Sequence, residues 1–467
     1  MAKSHADTGG EGKPMPFEVK NGEYPAGDRN ETGPSDIAVW ATVVLMSVVF
    51  AFSMIDRVVL SIVIEPVKAD LGLSDAEFGL AQGAAIALFY LIMALPFGWA
   101  ADRFDKRVVL FVGIAAWSMA SSACALVRNF TELFAARSMV GAGEASLGPA
   151  GYPLIAALVG RKRLALAMMI FVLGGVTGNG LGQLIGGPLF GLFSASGEWV
   201  YIWPLGEIAP WRAVFVITGL PGLLLAILVL MVPKGRPVVQ ADTVSTPEKT
   251  TYSAHLFFPY LRLHARYFLA VICGIGFQNA AIFAVILWNA AYVGRVYGWT
   301  PAEIGAVFGG TLVATSAASI IAHSWCMNTL YEKGHKDVHL KWQRGASLFA
   351  LPCVMIAYLT GSIEMTYVGF ALYSIALGGA LVAGPTVLQL ATPDEFRGRM
   401  NAVYVIVGSL LGTALGPALV GFLTDWLLGD ERLVGTAIMI CCVCFNIAAI
   451  VCFTIGIPVA RGVMREK

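Results

Sequence analysis

Asp56 and Arg57 stand side by side in one long apolar run, residues 37–64, and Arg137 and Glu144 stand seven apart in another, residues 132–159. Two carboxylates and two guanidinium groups set that deep can bind and release a proton, hold an anionic head group, or close on one another as a packing network. An ionised group at membrane depth costs several kcal/mol, so such residues face a partner or a watery cavity. Neighbours on a helix diverge by about 100°, which sends Asp56 and Arg57 to different partners. A spacing of seven instead puts Arg137 and Glu144 on one face, with about 10 Å of rise between them. The expected contacts are Asp56 with Arg137, or Arg57 with Glu144. A carboxylate beside an arginine stays ionised, whereas the same group in a dry cavity takes up a proton. Asp56 is therefore the first candidate for a protonation switch and Glu144 the second, with Arg137 and Arg57 as their counter-charges. Arg57 is also a natural anchor for a phosphate or carboxylate.

The elements that must position these groups follow from composition. The chain of 467 residues is 57% hydrophobic and only 13% charged, with a mean hydropathy of +0.73, outside the range of soluble globules. A helix crossing a bilayer needs roughly 20 mostly apolar residues. Twelve runs meet that length, at 37–64, 76–101, 108–127, 132–159, 164–193, 209–232, 267–293, 302–327, 343–362, 365–391, 399–424 and 433–459. The expected class is an all-α membrane protein of twelve transmembrane helices. Residues 1–36 are polar, without an apolar leader, and read as a disordered cytoplasmic tail. The polar stretch 233–266 reads as a cytoplasmic linker that divides a six-helix bundle, 37–232, from a second one, 267–459. A short cytoplasmic tail, 460–467, follows. Within the linker, the basic amphipathic piece Leu256 to Tyr267 is suited to lie on the inner leaflet. Most of the Lys and Arg fall in the segments that would be cytoplasmic with both termini inside, and Lys68, Arg128, Arg212, Arg295 and Arg432 are left on the other side.

Three motifs mark a family. Gly98 to Arg107, with Asp102 and Arg103 at its centre, forms the turn after the second run and resembles motif A of the major facilitator superfamily, except that Asp105 replaces the usual second glycine. Arg137, Gly141, Gly143, Glu144 and Ala145 resemble the fourth-helix pattern R-x-x-x-G-x-G-E-A. Gly178, Gly182, Gly186, Gly187 and Pro188 resemble the glycine-rich motif C of the fifth helix. The resemblance implies two pseudo-symmetric bundles around a central cavity. Asp102 would pair across the inner helix ends with Gly98 allowing close approach, Arg103 and Arg107 would belong to the same gate, and Gly141, Gly178 and Gly182 would let helices slide. Segment 160–188 echoes 397–417, an inner basic turn followed by a glycine-rich span, which supports the repeat. Within the superfamily, Ile55-Asp56-Arg57, Glu65-Pro66 and Arg137 to Ala145 resemble the spinster family, which in animals exports lysolipids and sphingosine phosphate.

That resemblance implies a secondary transporter driven by a proton gradient, with no cofactor, acting as a monomer in the inner membrane of a bacterium. Its substrate would be an amphipathic anionic lipid held by Arg57 and Glu144 on one wall and by Phe277, Asn279 and Phe283 of the seventh run on the other. The alternative substrate is a small hydrophilic organic anion such as a sugar acid or an organophosphate. Besides substrate and protons, membrane lipids are the expected partners, and nucleic acid is not. The sequence carries no nucleophile and base set for an enzyme and no Walker pattern for a nucleotide-driven pump. Its eight cysteines lie mostly in the apolar runs without the His or carboxylate company of a metal site, so neither a metal nor a disulfide is expected.

Overall fold

The computed structural model describes residues 35–159, 163–203, 205–234, 257–335, 337–393 and 396–463. The tail before residue 35, the linker from 235 to 256 and the last four residues lie outside these. In a bilayer each backbone polar group must be satisfied within its own segment, and the apolar runs accordingly fold as long helices. They are α1 (Asp36–Ile62), α2 (Asp75–Arg103), α3 (Lys106–Leu126), α4 (Phe130–Glu144), α5 (Leu164–Ala195), α6 (Pro210–Met231), α7 (Ala265–Tyr297), α8 (Pro301–Glu332), α9 (Val338–Leu359), α10 (Ile363–Ala391), α11 (Arg399–Leu428) and α12 (Glu431–Ala460). Ten of them are long and apolar enough to cross a membrane among the described residues. The other two are α4, which carries Glu132, Arg137 and Glu144, and α9, which carries Lys341 and Arg344. The all-helical expectation needs one amendment, because Val200–Ile202 and Gly206–Ile208 pair as a small antiparallel hairpin between α5 and α6.

Local sequence fixes where these helices start. Ser74 and Glu77 form a capping box at α2, followed by a π-helical stretch at Leu80–Ala84. Thr300 and Glu303 repeat the device at α8, followed by a π-helical stretch at Gly305–Gly309. Each box satisfies backbone donors that the helix itself leaves open. A π-helical stretch inserts extra backbone into the turn and re-aims the side chains beyond it.

Packing is asymmetric from one end of the molecule to the other. One apolar core draws on α1 to α4 and α6 to α12, with Val58, Phe78, Trp211, Trp288, Phe308 and Cys441 among its members. At the opposite end a core of α1 to α6 residues, such as Val43, Trp117 and Phe171, stands apart from a core of Phe268, Leu388 and Phe453. The molecule is therefore sealed at the end bearing the α1–α2, α7–α8 and α11–α12 connections, where both sets of helices share a core.

Glycines allow the close approaches. A Cβ at Gly178 would lie 2.5 Å from the Ala51 carbonyl oxygen, and one at Gly182 would lie 3.1 Å from the Ile55 Cα, so α5 packs directly on α1 behind Asp56 and Arg57. At Gly141 a Cβ would run into the Ile86 backbone, with the Cα 2.7 Å away, whereas at Gly98 it would meet nothing within 4 Å. Gly141→Ala is expected to destabilise the protein by about 1–3 kcal/mol through overpacking of α4 on α2. Gly98→Ala should leave stability unchanged or raise it by up to about 1 kcal/mol, from helix propensity alone. Melting in detergent checks both, and an equal response of the two variants would contradict this packing.

Candidate functional site

The Arg57 guanidinium reaches from α1 to Glu144 on α4, donating from Nε to Oε2 at 2.7 Å and also from Nη2 to the same oxygen. Glu144 is almost wholly buried and its Oε1 receives no hydrogen bond, while the Arg57 side chain keeps 14% of its surface exposed. The Tyr90 ring lies beneath the guanidinium, 5.8 Å from ring centroid to the guanidinium carbon. Of the two contacts expected from the sequence, this one forms.

Arg137 does something else. Its Nη1 donates to the Asp56 carbonyl at 3.0 Å and its Nη2 to the Arg57 carbonyl at 3.2 Å, and Gln82 Nε2 donates to the same Arg57 carbonyl at 2.7 Å. Arg137 thus grips the backbone of α1 rather than the carboxylate of Asp56. The divergence of neighbouring helical side chains places Asp56 away from Arg57, fully buried, with neither carboxylate oxygen hydrogen-bonded. The Ser121 hydroxyl on α3 faces that carboxylate and can donate to it, and the Ser118 hydroxyl one turn away is buried without a partner. A buried carboxylate without an ion-pair contact is expensive, and binding a proton removes the charge.

Arg57 and Glu144 line a cavity of about 240 Å³. Phe50, Tyr90, Leu147 and Tyr152 extend the wall that they form, and Asn279, Phe283, Tyr404 and Thr413 face it from α7 and α11. Asn279 Oδ1 is buried and free of hydrogen bonds. Phe277 lies outside this lining and stacks instead on Phe445, with ring centroids 6.2 Å apart. The three tyrosines were not singled out in the sequence, although a hydroxyl inside an apolar helix is a usable signal. His323 is occupied by packing contacts: Trp342 Nε1 donates to its Nδ1 and its Nε2 meets the Ile375 carbonyl, each at 3.0 Å.

The two ends of the molecule differ in their charges as they do in their cores. At the α2–α3 turn Asp102 is exposed and makes no hydrogen bond or ion pair among the described residues, so the pairing expected of it is not engaged in this state. Arg103 lies over the Trp99 ring at 4.4 Å. Arg107 donates to Asp105 at 2.7 Å and to the Val232 carbonyl at 2.9 Å. Asp105 also accepts from the Arg107 backbone amide at 3.0 Å, capping α3 where the motif usually has glycine. The Arg107 side chain bonded to it holds Asp105 below its ordinary carboxylate value.

At the sealed end, Arg295 grips the fully buried Asp75 through two bonds of 2.7 and 2.8 Å and Glu65 through a third of 2.7 Å. Lys68 pairs with Asp75 and donates to Glu431 at 2.8 Å. Asp425 accepts from the Ala76 amide at 2.6 Å, and a Cβ at Gly421 would strike the Asp75 carbonyl. The network ties the short helix Ile64–Leu71 and the start of α2 to α7, α11 and α12. Lys68 and Arg295 are two of the five cations that the charge count left on that side, which was the only sign of it in the sequence. Asp75→Asn leaves two cations short of their shared counter-ion, at a cost of about 3 kcal/mol or more to the sealed state. That energy multiplies the ratio of opened to sealed molecules by about 150-fold. Spin labels at Ala69→Cys and Val296→Cys in a cysteine-depleted background should gain a longer-distance population, and an unchanged distribution would contradict the latch.

A helical membrane protein sealed at one end, with a small central cavity and a buried charge cluster, has the parts of a membrane transporter. Residues 46–336 match the family model described as Major Facilitator Superfamily. An MFS-type efflux pump of Mycolicibacterium smegmatis is 25% identical over 89% of this chain and 91% of its own length. Protein spinster homolog 3 of Danio rerio is 24% identical over 86% and 81%. The crystal structure of a bacterial homolog to human lysosomal transporter Spinster, in an inward-facing and unoccupied conformation, superposes with a TM-score of 0.78 at 22% identity, covering 93% of this chain and 99% of that one. The chain belongs to the major facilitator superfamily, resembles its spinster branch, and is a secondary transporter by that membership.

Proposed function

We propose that the protein is a proton-coupled transporter of an amphipathic anion with a lysophospholipid-like or sphingosine-phosphate-like head group, acting by alternating access in a bacterial inner membrane. The observation that supports this reading is the pairing of unlike environments on one helix: Arg57 open to the cavity and bonded to Glu144, Asp56 buried on the other side with no guanidinium or ammonium bonded to its carboxylate. Arg57 is the anchor for the anionic group, exchanging Glu144 for substrate. Asp56 is the proton carrier, and Arg137 ties its backbone to α4, so that a change of charge is felt where the helices pack. Aromatic groups on both walls, Phe50, Phe283, Tyr152 and Tyr404, suit an apolar body behind the head group. With both termini cytoplasmic, the sealed end is the outer one and this state faces inward.

The cavity volume favours a second reading. About 240 Å³ accepts a head group or a small organic anion whole, but a lipid chain must run beyond it. Proteoliposomes with an imposed pH gradient separate the two when labelled lysophosphatidylglycerol, sphingosine phosphate and gluconate are each supplied. The proposal expects gradient-driven movement of a lipid, with gluconate neither carried nor competing. Movement of gluconate alone would replace the lipid reading by the small-anion one.

A further inference from the structure

We propose a second lipid site, distinct from the transport cavity, that holds an anionic diacyl phospholipid against the start of α7. The short helix Phe257–Leu263 breaks at His264 and continues as α7. With Val403 of α11 they enclose a groove of about 910 Å³ lined by Phe258, Leu261, Arg262, Leu269 and Ile272 among others. The apolar part is unpartnered, with Phe258 72% and Leu269 60% exposed. It lies along the first turns of a helix that is long and apolar enough to cross the membrane, over about 10 Å of rise from Ala265 to Ile272.

Arg262 is the charged residue of the described lining, and two further arginines lie close to it in the chain or beside the short helix. Arg262 and Arg266 are exposed and make no ion pair among the described residues, and Arg399 reaches in from α11, its guanidinium carbon 5.8 Å from the Phe257 ring centroid. No carboxylate is among the described lining residues. An apolar slot along the first turns of a membrane-spanning helix, with arginines at the end where that helix begins, is complementary to acyl chains below a phosphate. Guanidinium groups recognise phosphate through paired donors, and basic residues near a membrane surface favour anionic over zwitterionic lipid. A soluble protein partner has no access to the deep part of the slot, because α7 carries it into the hydrocarbon.

The test uses the purified full chain in nonionic detergent, with dioleoylphosphatidylglycerol or dioleoylphosphatidylcholine added and bound lipid counted by native mass spectrometry. Wild type is expected to retain phosphatidylglycerol at least tenfold over phosphatidylcholine. Each arginine near the phosphate contributes about fivefold, so Arg262→Gln with Arg266→Gln should weaken retention by about thirtyfold. Arg262→Lys with Arg266→Lys should stay within about fivefold of wild type. Equal retention of the two lipids by wild type, or wild-type preference in the glutamine variant, would overturn the proposal. Should the glutamine variant fail to fold, Ile272→Trp fills the slot and keeps the charges, and unchanged phosphatidylglycerol binding by that variant would overturn it equally. A concentration-dependent dimer that excludes lipid would assign the groove to a second copy of the chain and overturn it too. None of these results bears on the transport cavity.

Discussion

Arg57→Ala is expected to abolish transport, reducing initial rates at least a hundredfold, and to destabilise the fold at the same time. The two effects have separable causes. Removing the guanidinium leaves Glu144 buried without its counter-ion, and breaking a buried pair from one side costs about 3–5 kcal/mol. Removing both partners, as Arg57→Ala with Glu144→Ala, takes away the stranded charge and should recover most of the melting temperature. It should not recover transport, because among the described residues no other cation lines the cavity to hold an anionic head group. Arg57→Lys keeps the charge but loses the two-pronged contact, so it should bind the anion more weakly while folding nearly as well. Rates, substrate affinity and melting for these three variants form one experiment. A double variant that transports at the wild-type rate would remove Arg57 from the substrate path and leave the pair as a packing contact.

What the sequence disclosed and what it concealed divide along physical lines. Asp56, Arg57, Arg137 and Glu144 were conspicuous because a charge inside an apolar run has few innocent explanations, and helical spacing alone sent Arg57 and Asp56 to different surroundings. The acceptors of Arg137 were not legible, since a backbone carbonyl leaves no mark on residue type. The glycines of α4 and α5 were readable as sites of close approach, and their partners Ile86 and Ala51 were not, because the spacing does not say which helix comes near. Tyr90, Tyr152 and Tyr404 passed as ordinary aromatics of apolar helices. The network around Asp75 was hidden for the opposite reason: charges at helix ends are the usual solvated case, and only the fold brings Arg295 across to bury Asp75. The hairpin between α5 and α6 was missed because three-residue strands carry too little alternation to stand out beside long apolar helices.

Asp56→Asn should uncouple the transporter. Asparagine keeps the shape and the hydrogen-bonding size of the protonated acid, so the packing around position 56 survives, but the group can neither release nor bind a proton. Such a variant can still bind substrate at Arg57 and carry it between the two sides, so exchange of labelled for unlabelled substrate persists. Gradient-driven accumulation does not, because no charge at position 56 links the pH difference to the rocking of the helices. The decisive measurement therefore sets two assays side by side in proteoliposomes, exchange without a gradient and accumulation driven by an imposed pH difference, for wild type and Asp56→Asn. Exchange retained within about threefold with accumulation lost by more than about thirtyfold, a differential effect of roughly 1.4 kcal/mol for each factor of ten, is the predicted result. Accumulation that follows the pH gradient in Asp56→Asn as it does in wild type would contradict the assignment of the proton to this carboxylate.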